Sequence, residues 1–299
     1  MAAASALISL IRPVNSVMIG FAVIVGVAVV APSKTLELES LGFLTGFFVS
    51  SYSMVILLGF LTGFFVSSYS MVINDCYDVE IDRINSPTRP IPSGAVSLRQ
   101  ANMFAVVLLL TGFATASFIS LTNLAIAAFF ALLAWSYSYW GKKRGFSGNV
   151  MVAASVAVPY VFGGVAIGKG DDIMLWSLAL TSFLAGTGRE VVKTISDVEG
   201  DKTRVVRSIA ITKGEKTASR IGALFFLAAV STSLFPLMLG IAGIVYAILV
   251  FVTDAFFIYL SSKIIRNYTV EGAAKVKKLA LGGMLLGLLA FLFGGALRF

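Results

Sequence analysis

Two short runs carry the groups able to do chemistry. In NDCYDVEIDRINSPTRPIPSG, residues 74–94, Asn74, Asp75, Asp78 and Asp82 fall within an arc of about 100° on a helix, while Glu80 points away. In GREVVKTISDVEGDK, residues 188–202, Glu190, Lys193, Asp197 and Asp201 fall within about 80° by the same arithmetic, and Glu199 faces elsewhere. Two carboxylate faces converging on one place repel each other unless a cation lies between them. The chain has no histidine and one cysteine, Cys76, so the ligands on offer are oxygen alone, a set that selects Mg²⁺, Mn²⁺ or Ca²⁺. Magnesium keeps several waters and shares its shell with substrate phosphates. Two aspartate faces with Arg83, Arg89, Lys142, Lys143, Lys193, Arg204 and Arg207 able to supply the basic part therefore describe a diphosphate site better than a closed metal cage.

The elements that must position these faces are membrane helices. Of 299 residues, 58% are hydrophobic and 13% charged, and the apolar residues come in blocks of about twenty. The fold class expected is all-α: a polytopic membrane protein with a bundle of nine transmembrane helices, near 14–31, one ending at Ile73, then 101–121, 124–140, 150–167, 173–193, 221–239, 241–261 and 279–296. The opening MAAASALISLIRPVNS has no basic segment before its apolar part, and reads as a short interfacial helix rather than a secretory signal. With the amino terminus cytoplasmic, 20 of the 23 Lys and Arg residues fall on the inner side. That bias accounts for the net charge of +8 without nucleic acid, and puts both carboxylate runs on the cytoplasmic side. The composition also excludes a histidine general base, a histidine-ligated haem, the usual zinc sites and an internal disulfide.

One stretch resists this scheme. LGFLTGFFVSSYSMVI occurs at 41–56 and again, unchanged, at 58–73. Two separate spans need a turn that Ile56-Leu57-Leu58-Gly59 does not offer, and one helix from Leu41 to Asp75 would be about 50 Å long against a hydrocarbon core of about 30 Å. The reading adopted is that one copy is surplus. Two further features stand apart from the carboxylate runs. Asp254 lies inside the apolar run FVTDAFFIYL, where an ionisable residue is costly and is either structurally paired or functional. The glycine-rich 281–295 reads as close helix packing.

The sequence resembles the UbiA-type intramembrane prenyltransferases over nearly its whole length. NDCYDVEID at 74–82 is similar to the family's first motif, NDxxDxxxD, and SDVEGD at 196–201 to its second, DxxxD. RPVN at 12–15, RPIPSG at 89–94, YWGKK at 139–143, Asn149 and GREVVK add support. The resemblance implies one domain over 1–299, a multi-pass cell-membrane enzyme with its active site on the cytoplasmic side and no obligate protein partner. It implies Mg²⁺ bridging a polyprenyl diphosphate and Asn74, Asp78, Asp82, Asp197 and Asp201, with Asp75 supporting them. It also implies substrate contacts from Asn15, Arg89, Tyr139, Lys142 and Lys193. Within the family, the residues between Asp82 and Arg89 are most like the archaeal ether-lipid branch, which implies geranylgeranyl diphosphate as donor and geranylgeranylglyceryl phosphate as acceptor. An aromatic acceptor, such as a quinone precursor or a haem, and an ion-coupled transporter remain as alternatives.

The facial argument predicts that Asp78→Ala or Asp197→Ala abolishes prenyl transfer in a protein that still folds, while Glu80→Ala or Glu199→Ala is mild. Equal loss from all four, measured by product formation on purified protein, would contradict it.

Overall fold

The computed structural model describes residues 2–31, 51–199 and 206–296, and every regular element among them is helical. A short α1 (Ala2–Leu10) leads into α2 (Pro13–Val30), with Pro13 in its first turn, where a missing N–H costs nothing. Then follow α3 (Ser51–Tyr77), α4 (Val79–Asn85), α5 (Leu98–Ser117) and α6 (Leu121–Tyr139). A 3₁₀ turn over Gly141–Arg144 leads to α7 (Phe146–Ala166) and α8 (Ile173–Ser196). The chain ends in α9 (Ile209–Lys213), α10 (Glu215–Ser233), α11 (Phe235–Met238), α12 (Ile244–Arg266) and α13 (Val270–Ala296).

Local chemistry sets several of these starts. Ser97 and Gln100 form a reciprocal capping box on α5, the Ser120 hydroxyl accepts from the Asn123 N–H on α6, and Asp172 accepts from the Met174 and Leu175 N–H groups on α8.

Among the described residues, eight segments are long and apolar enough to cross a membrane: α2, Ser53–Tyr77 of α3, α5, α6, α7, Glu215–Met238, α12 and Val270–Gly295 of α13. Their outer faces carry exposed Leu110, Leu121, Phe129, Ile248 and Phe251, which water would not tolerate in such number. The protein is a polytopic membrane bundle of helices. α8 has the length to span, at 24 residues, but bears Arg189, Glu190 and Lys193 near its end.

The helices form a ring. α2 packs on α3, α3 on α5 and α6, α6 on α7, α7 on α8, α8 on α10, α10 on α12, α12 on α13, and α13 returns to α2. α2 also crosses α7, and α8 crosses α13, so two sub-bundles share a wall. One apolar core lies among α2, α3, α5, α6 and α7 around Val23, Val66, Tyr69 and Phe130. A second lies among α8, α10, α12 and α13 around Ile195, Phe226, Phe257 and Leu260.

The repeated stretch resolves in part. α3 runs without a break through Ile56-Leu57-Leu58-Gly59, as the absence of a turn there demands, and the whole second copy lies in this helix. The second copy seats in the bundle: a Cβ on Gly63 would meet the Gly20 Cα at 3.1 Å, and one on Gly59 would meet Val23. Residues 41–50 of the first copy lie outside the described residues.

Several helices extend past their expected ends. α3 continues beyond Ile73 to Tyr77, α12 runs to Arg266 rather than 261, α10 begins at Glu215 rather than near 221, and α13 begins at Val270 rather than near 279. Hydropathy ends a span where charge appears, but backbone hydrogen bonding does not stop there. Lys275, Lys277 and Lys278 are therefore helical.

The α2–α7 crossing leaves no room for a side chain at two positions. A Cβ on Gly26 would lie 2.1 Å from the Tyr160 carbonyl oxygen, and one on Gly163 would lie 2.1 Å from that of Val23. Gly282 faces open space. Gly26→Ala and Gly163→Ala should each destabilise the detergent-solubilised protein by about 1–3 kcal/mol, while Gly282→Ala leaves its thermal midpoint unchanged or raised. Equal midpoints for all three would show that the crossing is not tight.

Candidate active site

The first carboxylate run lies where α3 ends. Its helix is interrupted at Asp78 (φ −92°, ψ 2°), which caps α4. Register survives the break, because the Asp78 N–H donates to the Asn74 carbonyl at 3.0 Å and the Asp82 N–H to the Asp78 carbonyl at 2.8 Å. Asp75, Asp78 and Asp82 thus remain on one inward side, only 5%, 7% and 6% exposed. Glu80 lies out in solvent, paired with Arg83 at 2.9 Å.

Each buried carboxylate has a cation. Asp75 accepts from Arg12 at 2.6 Å and lies 3.6 Å from Arg89, which reaches Asp82 at 2.6 Å. Lys142 pairs with Asp78, and the Asn74 amide donates to the same oxygen at 3.1 Å. Burial works against the charge on Arg89, but its hydrogen bond to Asp82 and the fields of Asp75, Asp82 and Asp78 outweigh that and hold its pKa above the ordinary value. Arg12 is the one non-glycine residue with positive φ among those described, at 45°. Its ion pair with Asp75 ties down that strained corner at the start of α2.

These groups surround a cavity of about 640 Å³, within the size range of ligand sites. Asn15, Asn74, Asp78, Asp82, Arg89, Lys142 and Lys193 all line it, together with Arg12, Ser70, Tyr137, Ser138, Ser155 and Glu190. Asp75 lies behind it, holding Arg12 and Arg89 in place. Tyr139 is not brought to the cavity. It is 59% exposed at the end of α6 and stacks on Trp135 at 5.3 Å. Side chains two apart on a helix point to nearly opposite faces, so it is Tyr137 that lines the site.

The second run contributes from α8. Asp197 caps this helix, takes hydrogen bonds from Ser196 at 2.7 Å and Lys277 at 3.2 Å, and lines an adjoining cavity of about 190 Å³. The two cavities share a wall made of Tyr137, Lys142, Val152, Glu190 and Lys193. Glu190, 7% exposed, takes Arg189 at 2.6 Å and Lys193 at 3.2 Å. Asp201 and Arg204 lie outside the described residues.

Among the described residues no three His, Cys, Asp or Glu side chains group closely enough to hold a metal by themselves. The donor set on the cavity wall is nonetheless oxygen throughout, from Asn74, Asp78 and Asp82, with cations beside it. That suits a hard ion whose remaining ligands are waters and phosphate oxygens rather than a closed protein cage.

Sequence reasoning alone gave no role to Arg12 itself, Tyr137 or Lys277. Arg12 lay within the quoted RPVN, and Tyr137 shares a helix stripe with Ala134 and Ser138, but no local pattern ties Lys277 to Asp197, 80 positions away. Asp254 belongs elsewhere. It is 6% exposed, takes the Ser233 hydroxyl at 3.0 Å on either oxygen, and lines a separate cavity with Thr253 and Phe257.

A sequence profile of the UbiA prenyltransferase family matches residues 21–289. The chain is 37% identical over 292 residues to a digeranylgeranylglyceryl phosphate synthase from Archaeoglobus fulgidus, covering 96% of this chain and 94% of that one. It is 38% identical over 260 residues to the protein of the same name from Methanocaldococcus jannaschii, covering 85% and 90%. A solved digeranylgeranylglyceryl phosphate synthase structure superposes with a TM-score of 0.86 at 34% identity, over 99% of each chain. A UbiA homolog from Archaeoglobus fulgidus, solved with DMAPP and Mg²⁺, shares the fold, with a TM-score of 0.69 at 17% identity and 95% and 99% coverage. A profile match over most of the chain, with relatives above 30% identity along nearly their full lengths, makes this protein a member of the UbiA prenyltransferase family.

Proposed function

We propose that this protein transfers a geranylgeranyl group from its diphosphate to geranylgeranylglyceryl phosphate, a Mg²⁺-dependent step in archaeal ether-lipid synthesis. The observation that carries this reading is the cavity in which Asn74, Asp78 and Asp82 face Arg89, Lys142 and Lys193, in a chain so similar to digeranylgeranylglyceryl phosphate synthases. A small apolar cavity of about 30 Å³, lined by Ile19, Thr62, Val66, Phe130 and Pro159, gives the deeper part of the bundle an apolar lining but does not itself hold an isoprenoid tail. Its α3 residues Val66 and Thr62 lie about 12 and 18 Å deeper along the helix than Asn74.

Asn74, Asp78, Asp82, Asp197 and Asp201 would hold Mg²⁺, which when bound supplies positive charge to the oxygens of the departing diphosphate. Arg89, Lys142 and Lys193 bind the diphosphate and stabilise the charge that builds on it as the allylic C–O bond breaks and its electron pair leaves on oxygen. The acceptor hydroxyl oxygen then bonds to the allylic carbon and releases its proton to the departed diphosphate. Asp75 acts at one remove by holding Arg12 and Arg89. The apolar walls exclude water, which would otherwise capture the cation. Because that cation is strongly electrophilic, no strong protein base is required, in keeping with a chain that lacks histidine.

α8 serves as the ninth span, its length of 24 residues supporting this despite its charged final turns. The amino terminus and the site face the cytoplasm, in the cell membrane, as the distribution of Lys and Arg supports. The chain forms one domain in which one copy of the repeat is surplus, a reading supported by the packing of the second copy.

In sealed vesicles of known orientation, labelled geranylgeranyl diphosphate offered with geranylgeranylglyceryl phosphate or an aromatic acceptor should yield the ether lipid. It should do so only from the cytoplasmic face, and chelation of Mg²⁺ should stop it. An aromatic product, activity from the outer face, or ion flux without diphosphate release would each overturn the corresponding part of the reading. Deleting residues 41–57 should leave a folded, active enzyme; loss of folded protein would show that both copies are needed.

A further inference from the structure

The cavity that Asp197 lines holds donors that the diphosphate reading does not use. Ser208 is fully buried, and its hydroxyl has no hydrogen-bond partner among the described residues. The Asn149 side-chain N–H₂ is likewise buried and unpartnered. Both residues line this cavity of about 190 Å³. Leaving such groups unsatisfied is costly, so each implies a ligand that accepts from it.

The backbone fits that purpose. α7 is 21 residues long and begins at this cavity, with Gly145 as its N-cap and no side-chain cap on its first turn. The first N–H groups of a helix have no intrahelical acceptor and carry its positive dipole end, which favours an oxyanion. Ser208 is held over this turn by a close backbone crossing. The Arg207 N–H donates to the Lys143 carbonyl at 3.2 Å, and a Cβ on Gly145 (φ 61°) would lie 1.8 Å from the Arg207 oxygen. Only glycine permits that approach. The buried Ile209 and Ala210 anchor the segment from the other side.

The charge balance also favours an anion. Glu190 and Asp197 line the cavity, but Glu190 is paired with Arg189 and Lys193, and Asp197 with Lys277, while Lys142 on the wall shared with the larger cavity is paired with Asp78, so four cations meet three carboxylates around it. The room suffices for a phosphate and its glycerol but not for a long alkyl chain.

We infer that this second cavity binds the phosphate monoester of the acceptor, through the Ser208 hydroxyl, the Asn149 amide and the first turn of α7. This deepens the proposed function and rests on its phosphate-bearing acceptor. A phosphate held here places the acceptor's glycerol hydroxyl against the shared wall, on the side from which it meets the donor's allylic carbon. The site thereby selects a phosphorylated lipid alcohol over a neutral one.

The test uses full-length detergent-solubilised protein and compares the binding of geranylgeranylglyceryl phosphate with that of geranylgeranylglycerol, alongside donor KM. The wild type should prefer the phosphate form, and Ser208→Ala and Asn149→Ala should each weaken its binding by about tenfold to a hundredfold. Binding of geranylgeranylglycerol and donor KM should not change. The thermal midpoint of Ser208→Ala should also hold, because its hydroxyl bonds nothing among the described residues. Unchanged phosphate-acceptor binding in both variants, or an equal rise in donor KM, would overturn the inference. Should a variant fail to fold, competition on the wild type decides: inorganic phosphate must displace geranylgeranylglyceryl phosphate and spare the donor, and failure to do so overturns the site. A wild type that binds the phosphate acceptor in a Ser208-dependent way yet forms no ether would sink the proposed reaction and leave the site standing. Ether formation untouched by either variant would do the reverse.

Discussion

Four carboxylates buried near one end of a membrane bundle are the constraint from which the rest of this structure follows. Asp75, Asp78, Asp82 and Glu190 are each less than a tenth exposed. A buried, uncompensated carboxylate is expensive, and several together are worse. The fold answers by drawing cations from far along the chain: Arg12 from the start of α2, Arg89 from the loop before α5, Lys142 from the 3₁₀ turn, and Arg189 and Lys193 from α8. Most of the elements around the cavity therefore owe part of their placement to charge pairing, not to apolar contact alone.

Such pairing makes a site ready for a charged ligand without making it rigid. Arg89, Lys142 and Lys193 are each roughly a quarter to two-fifths exposed, while the carboxylates they meet are nearly closed off. The acids are thus fixed by helix backbones and the bases reach in on long side chains. A metal ion and a diphosphate bring both signs of charge, and can exchange partners with this network while its net balance is kept.

Two cavities with a common wall suit a reaction with two amphiphilic substrates. Lys142, Lys193 and Glu190 belong to both, so charge placed in one is felt in the other. Below the larger cavity, the stripe on α3 changes from Asn74 and Ser70 to Val66 and Gly63 within a few turns, so the lining turns from polar to apolar along one helix. Asp254, inside the second sub-bundle and held by Ser233, takes no part in this arrangement.

Much of this was legible in the sequence for one reason: helical periodicity and hydropathy are local. The apolar blocks located the spans, and a 100° step per residue separated Asp75, Asp78 and Asp82 from Glu80, as their burial and its exposure reflect. The same local rule misled at the ends of α3 and α13, because a helix continues past the membrane surface where hydropathy falls silent. Tyr139 and Tyr137 show the finer limit. Near a helix end two residues separate one face from the other, and only the packing of α6 against its neighbours decides which of them meets the cavity. The pairing of Lys277 with Asp197, the closure of Ser208 over the first turn of α7 and the sharing of a wall by two cavities lay beyond the sequence altogether. Each depends on where separate helices cross, and side-chain spacing along one helix carries no information about its distance from another.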